Sequence, residues 1–165
     1  MKITELQAND LVVFDINGEN GVYGRVVEIM LEQNRVGCAV NKNGTEVIYH
    51  KDAGEVYPII VQDDDLIRNG FKFTAVTPQL SDFSLANRRK LEDGEGEMVS
   101  NVSVRILEGN TESYDICIDQ HLEWCNQRQN TIMFERWGLL FIHKLQNYLR
   151  EAGFEEVADN FNTEG

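Results

Sequence analysis

The chain has 165 residues, 42% of them apolar and 26% charged, and its 15 Lys+Arg against 28 Asp+Glu leave a net charge of -13. That is enough chain for one domain, or for two subdomains that share a core. Membrane-spanning helices are excluded because no window approaches about 18 uncharged apolar residues, and the acidic balance argues against a general nucleic-acid binder, whose phosphate contacts need a basic surface.

The opening Met1 to Asp10 has no apolar stretch of the signal-peptide kind, so a soluble cytoplasmic protein is expected. The acidity is spread along the chain, with net charges of -4, -3 and -6 over residues 1–60, 61–98 and 99–165. A solvated acidic surface explains this, and it would also suit a basic protein partner.

The first sixty residues read as β-structure. Leu11 to Phe14 is a short apolar run, followed by turn signals at Asn17-Gly18 and Asn20-Gly21. A long strand is expected over Val22 to Leu31 and another over Arg35 to Val40. Asn41 to Gly44 then marks a hairpin before Thr45 to Tyr49. Val56 to Ile60 closes the set, with Pro58 suited to an edge or a strand exit. Four or five short strands in this space predict a small SH3-like β-barrel or a curved sheet, assigned to residues 1–62.

Residues 63–165 read as an α+β subdomain packed on the first. Asp63, Asp64 or Asp65 can cap a short helix that Asn69-Gly70 stops, and Phe71 to Val76 alternates as a strand. Residues 77–97, with Pro78, Ser81, Asp82, Ser84 and the Glu92 to Glu97 run, read as loop and turn. Arg88, Arg89 and Lys90 form the one basic cluster. Met98 to Leu107 alternates cleanly and pairs, through a turn at Glu108 to Asn110, with Ser113 to Ile118. Thr131 to Phe134 adds another strand. A helix is expected over about 137–152, where Phe141, Leu145, Tyr148 and Ala152, with Ile142 and Leu149, form an apolar stripe. Lys144, Gln146, Asn147 and Arg150 occupy the opposite side, and Gly153 ends the helix.

Candidate chemistry is sparse. The phosphate-cradling, zinc-protease and nucleophile-elbow motifs are absent, and no catalytic residue, cofactor site or metal site is assigned. Cys117, His121 and Cys125 recur every four residues, but Cys117 closes a strand, so they do not share a helix face. Cys38, Cys117 and Cys125 read as reduced thiols and His121 as a surface histidine. His143 lies beside the apolar stripe. It reads as a half-buried histidine bonded to a carbonyl or carboxylate, or else as a base or ligand. His143, Gln146, Trp124 and Trp137 are the candidate partner surface, since large aromatics favour interfaces; core packing is the alternative for both tryptophans.

Three segments carry a family likeness: Glu5 to Val12; Val56 to Ile60 followed by Asp65 to Phe71; and Phe141 to Asn147 with Gly153 to Glu156. An Asn-Gly-Phe stop and an aromatic-aliphatic-His-x-Leu-Gln pattern are the recognisable parts. In these the chain resembles small proteins without an established activity that gut-dwelling anaerobic bacteria encode, often near phage or mobile elements. The family has Gly-Asn where this chain has Asn9-Asp10, a mild change because Asn also tolerates a left-handed turn. The resemblance implies no catalytic residues. It draws notice to His143, Leu145 and Gln146, of which His143 and Gln146 share a helix face. They could touch one partner group, or bond back to the β-layer and fix the helix.

The function expected on this basis is a non-enzymatic accessory or protein-interaction protein. The alternatives are a nucleic-acid-associated module built on an SH3-like barrel, which rests on fold analogy alone, and an enzyme of unrecognised type.

Overall fold

The computed structural model describes residues 1–77, 80–90, 96–107, 113–122 and 128–163, without the side chains at 75–77, 89–90, 113, 121–122 and 128–137. The fold is α+β: two five-stranded antiparallel sheets with helices from the C-terminal part of the chain.

The first sheet comprises β1 (Leu11–Ile16), β2 (Glu19–Met30), β3 (Arg35–Lys42), β4 (Thr45–Asp52) and β5 (Val56–Tyr57), in the order β4-β3-β2-β1-β5. Its tight turns follow from local chemistry. Asn17 and Gly18 have φ of 44° and 90°, and Asn43 and Gly44 have 55° and 82°. Two successive left-handed residues match the right-handed twist of the flanking strands. Asn20-Gly21 is not a second turn. It lies inside β2, where Gly21 (φ 70°) donates its N–H to Asp15 Oδ1 at 2.9 Å, and the register with β1 shifts there as in a bulge.

This sheet has to curl. Asp52 ends one edge strand and Val56 begins the other, and four residue steps span at most about 14 Å. Five flat strands would place those edges about 19 Å apart. The edges are not paired with each other, so the result is a curved open sheet and not a closed barrel.

The short helix α1 (Asp63–Arg68) is capped differently from the expectation. Gln62 holds the cap position, and it is Asp65, the third helical residue, whose Oδ2 accepts the Gln62 N–H at 2.9 Å. Gly70, at φ 88°, makes the expected stop.

The second sheet comprises β6 (Lys72–Thr77), β7 (Leu80–Lys90), β8 (Glu97–Leu107), β9 (Ser113–Leu122) and β10 (Arg128–Trp137), in the order β10-β9-β8-β7-β6. The strand β7 corrects the part of the expected 77–97 loop that falls at 80–90, while residues 78–79 and 91–95 of it lie outside the described residues. Its Ser, Asp and Asn residues are weak strand formers. However, all eleven positions pair in register with β8, and Phe83 is fully buried between Phe73 and Val104. Pairing and burial outweigh propensity here. The expected turn at Glu108 to Asn110 lies outside the described residues.

The main helix, α2 (Ile142–Glu151), begins later than expected. Phe141 is extended and bridges Ile60, and the bonds on either side complete the link: the Val61 N–H donates to Leu140 O at 2.9 Å, and the Ile142 N–H donates to Ile59 O at 2.8 Å. Gly153 (φ 82°) ends the helix, and the Phe154 N–H returns to Leu149 O at 2.8 Å. A further short helix, α3 (Glu155–Asp159), follows.

Strand β1 joins the two halves. Alternation sends Val12, Phe14 and Ile16 into a core with Val26, Val36 and Cys38 of the first sheet. It sends Leu11 the other way, into a larger core with Phe83, Val104 and Ile116 of the second sheet and Ile142, Leu145 and Leu149 of α2. Among the described residues, no helix is long and apolar enough to cross a membrane.

Candidate functional site

The side of α2 expected to face solvent instead faces the N-terminal segment. His143, Gln146, Asn147 and Arg150 lie at spacings of three, four and seven residues, which is one helix face. Gln146 is fully buried and satisfied on both sides of its amide. Its Oε1 accepts the Leu11 N–H at 2.8 Å, while its Nε2 donates to Asn9 O at 3.0 Å and to Ala158 O at 2.7 Å. One side chain thus ties β1, α2 and α3 together. Asn9 sits at φ 67°, the left-handed conformation that aims its carbonyl at Gln146.

Next to it, Arg150 Nη1 donates to the buried Asp10 Oδ1 at 2.7 Å, Nη2 to Ala8 O at 3.0 Å and Nε to Asp159 Oδ1 at 3.1 Å. Burial pushes the Asp10 carboxyl up from its ordinary range, against the downward pull of its Arg150 and Gln7 hydrogen bonds. Arg25, from β2, adds bonds to Asn9 O at 3.1 Å and to Phe161 O. A second tie anchors the C-terminal segment: Asn69 exchanges hydrogen bonds with the Asn162 backbone, and Thr163 donates to Asp65. These polar groups are consumed in holding the fold.

His143 is the exception. It is 1% exposed, and neither ring nitrogen has a hydrogen-bond partner among the described residues. The carbonyl or carboxylate partner expected for it is absent there. Its ring stacks on Phe141, with centroids 6.0 Å apart and planes 17° apart. Burial first, and then the charge of Lys144, pull its pKa down to about 4, so the ring is neutral at pH 7.

The expected partner surface is therefore corrected at two positions. His143 and Gln146 are interior because the N-terminal segment packs over this face of α2, an arrangement between residues more than 130 positions apart that no local pattern announces. Trp124 lies outside the described residues, as does Cys125. Trp137 ends β10 opposite Ser113, and its side chain is among those not described.

The exposed opening lies one turn away. Two adjoining clefts of about 500 and 490 Å³ share Tyr114, Gly138 and Leu139. Large apolar side chains line them in the open: Ile60 is 40% exposed, Leu107 39% and Leu139 40%. Glu5, Lys144 and Glu151 border one end and Asp63 the other. Such side chains in one depression are the kind of surface a partner covers. Sequence reasoning missed this cleft because its walls come from five separate stretches of the chain.

Elsewhere, His50 Nε2 lies 2.8 Å from Glu28 Oε2. The pair closes over Gly37, which occupies the register position between them and where a Cβ would stand 3.1 Å from the Glu28 Cβ. Cys117 lies on strand β9, as the Ser113 to Ile118 pattern predicted, and Cys38 is buried, its thiol pushed up to about 11 by burial. No group of three or more His, Cys, Asp or Glu able to hold a metal occurs among the described residues. Of the basic side chains that could gather for phosphate, those of Arg89 and Lys90 lie outside the described ones, and four others are engaged singly. Arg25 binds backbone carbonyls, Arg35 pairs with Asp52 at 3.7 Å, Lys42 with Glu19 at 3.2 Å and Arg88 with Glu97 at 3.9 Å. Compared with protein-family models, curated proteins and solved structures, the chain matches none of them.

Proposed function

We propose that this is a cytoplasmic, non-enzymatic interaction protein of phage or mobile-element type, whose protein partner docks at the Leu139 cleft. The observation that carries this reading is the cleft itself, where Ile60, Leu107 and Leu139 stand open to solvent beside the charged rim of Glu5, Lys144 and Glu151. An apolar centre with a polar rim is how protein interfaces are built. The net charge of -13 gives a basic partner an electrostatic approach.

The non-enzymatic part is supported by the use of the interior polar groups, since Asp10, Gln146 and Arg150 are spent on one another and on backbone. Nucleic acid is less well supported. A curved five-stranded sheet with a short helical turn before its last strand resembles SH3-like barrels, but Arg25, Arg35 and Lys42 on it are individually engaged.

The test is capture by the tagged full chain from cells that encode it, followed by mass spectrometry and a nuclease control. A specific protein that Leu139→Glu and Leu107→Glu lose, and that Ile48→Glu on β4 retains, is the expected result. Equal capture by all variants, or capture that nuclease abolishes, overturns the reading.

A further inference from the structure

The first six residues are held differently from the next five. From Gln7 to Leu11 the backbone is gripped at almost every residue, by Asp10, Arg150, Gln146 and Arg25. The short helical turn Ile3–Glu5 has its own internal bonds, Glu5 N–H to Lys2 O at 3.0 Å and Leu6 N–H to Ile3 O at 3.3 Å. Among the bonds of the described residues, its link to α2 runs from Asn147 Nδ2 to Glu5 O at 3.3 Å. Beyond that it is kept down by packing, with Leu6 buried and Met1 and Ile3 resting on the first-sheet core.

His143 lies one turn before Asn147 on the same helix face, buried and without a partner for either nitrogen among the described residues. The charged groups that face its ring are Lys144 on its own helix, and Glu5 and the chain's amino group from the N-terminal turn. The other elements packed on α2 bring their carboxylates to its far end: Asp159 of α3 and Asp10 just before β1 both meet Arg150, seven residues and about 10 Å along the helix.

We propose that residues 1–6 form an acid-released strap: protonation of His143, one turn from the strap's bond to Asn147, lifts the strap from α2, while residues 7–11 stay clamped as the hinge. The physical reason is hydration. An imidazolium needs acceptors or water for both N–H groups, and the closed interior supplies neither. Glu5 alone among the facing charges favours the proton, whereas Lys144 and the amino group oppose it. The strap, lightly bonded to α2 through Asn147, offers the route to water. Because Glu5 also forms part of the wall of the Leu139–Lys144 cleft, lifting the strap widens that cleft.

The ring titrates near its ordinary 6.5 when the strap is open and near about 4 when it is closed. Linkage then raises the open population about twentyfold between pH 7 and pH 5. Amide hydrogen exchange on the intact chain, corrected for the intrinsic effect of pH, reads this directly. The Glu5 and Leu6 amides should accelerate by about that factor, while those of Val104 and Ile116 in the second sheet do not. His143→Leu should remove the acceleration, and His143→Gln, also uncharged at every pH, should do so even if the apolar variant folds poorly. Absence of acceleration in the natural chain, its persistence in both variants, or its spread to Val104 and Ile116 would each overturn the proposal.

Discussion

The two ends of α2 carry buried polar side chains with opposite fates. At one end Gln146 and Arg150 meet donors and acceptors from Asn9, Asp10, Leu11, Ala158 and Asp159. One turn earlier, His143 is as deeply buried and bonds to nothing among the described residues. The difference shows that burial alone says little about what a polar group contributes. A satisfied amide holds three elements together, whereas an unsatisfied ring weakens the fold and makes it respond to protons.

The largest effect that would break this contrast comes from Gln146→Leu. The substitution keeps the apolar stem and removes three hydrogen bonds, leaving the buried Leu11 N–H unpaired, while the Asn9 and Ala158 carbonyls keep only their bonds from Arg25 and from the Phe161 N–H. A loss on the order of 3–4 kcal/mol in urea unfolding is expected. A loss under about 1 kcal/mol would mean that the clamp is not what holds the helix.

The His143 end should show itself in the pH dependence of stability. The folded chain holds this pKa down near about 4, below the ordinary 6.5, so the unfolded chain takes up a proton first. Its neutral form is fully compatible with folding above pH 6.5, and stability is lost as pH falls from there towards 4. The contribution of this ring is on the order of 2–3 kcal/mol across that window. His143→Leu should flatten this part of the curve and be neutral or slightly stabilising at pH 7, since it replaces an unpaired polar ring with an apolar side chain. An unchanged slope between pH 6.5 and 4 would assign the dependence to the carboxylates instead.

The smallest effect sharpens the clamp. Asn9 holds φ 67°, so Asn9→Ala should cost about 1 kcal/mol through backbone strain alone, and Asn9→Gly should cost little or nothing. Thermal unfolding of both variants distinguishes strain from loss of the Asn side chain: equal destabilisation of the two would point to the side chain.

Much of the fold is legible in the residues themselves. The Asn-Gly pairs at 17–18 and 43–44 set their turns through their own φ preferences, and Gly70 and Gly153 end helices for the same reason. Alternation places β1 to β4, β8 and the start of β9 to within a few residues. These signals are local, because each residue carries its conformational preference wherever it stands. The candidate site is hardly legible. Gln146 reads with Lys144 and Arg150 as the outer side of the helix, because a polar residue beside an apolar stripe reads as solvated. Only the arrival of Asn9 and Leu11 from the far end of the chain turns it inward.

The sequence alone determined the turns, the period of the strands, the α+β class and the charge of -13, since each depends on residue identity and nearest neighbours. Tertiary structure decided that the polar run from Leu80 to Lys90 is a strand, that α2 starts at Ile142, and that two polar residues lie inside while Leu139 stands open. Those outcomes depend on which distant segment supplies a hydrogen-bond partner or a covering surface. Such pairing is a property of the assembled chain, absent from any stretch of it read alone.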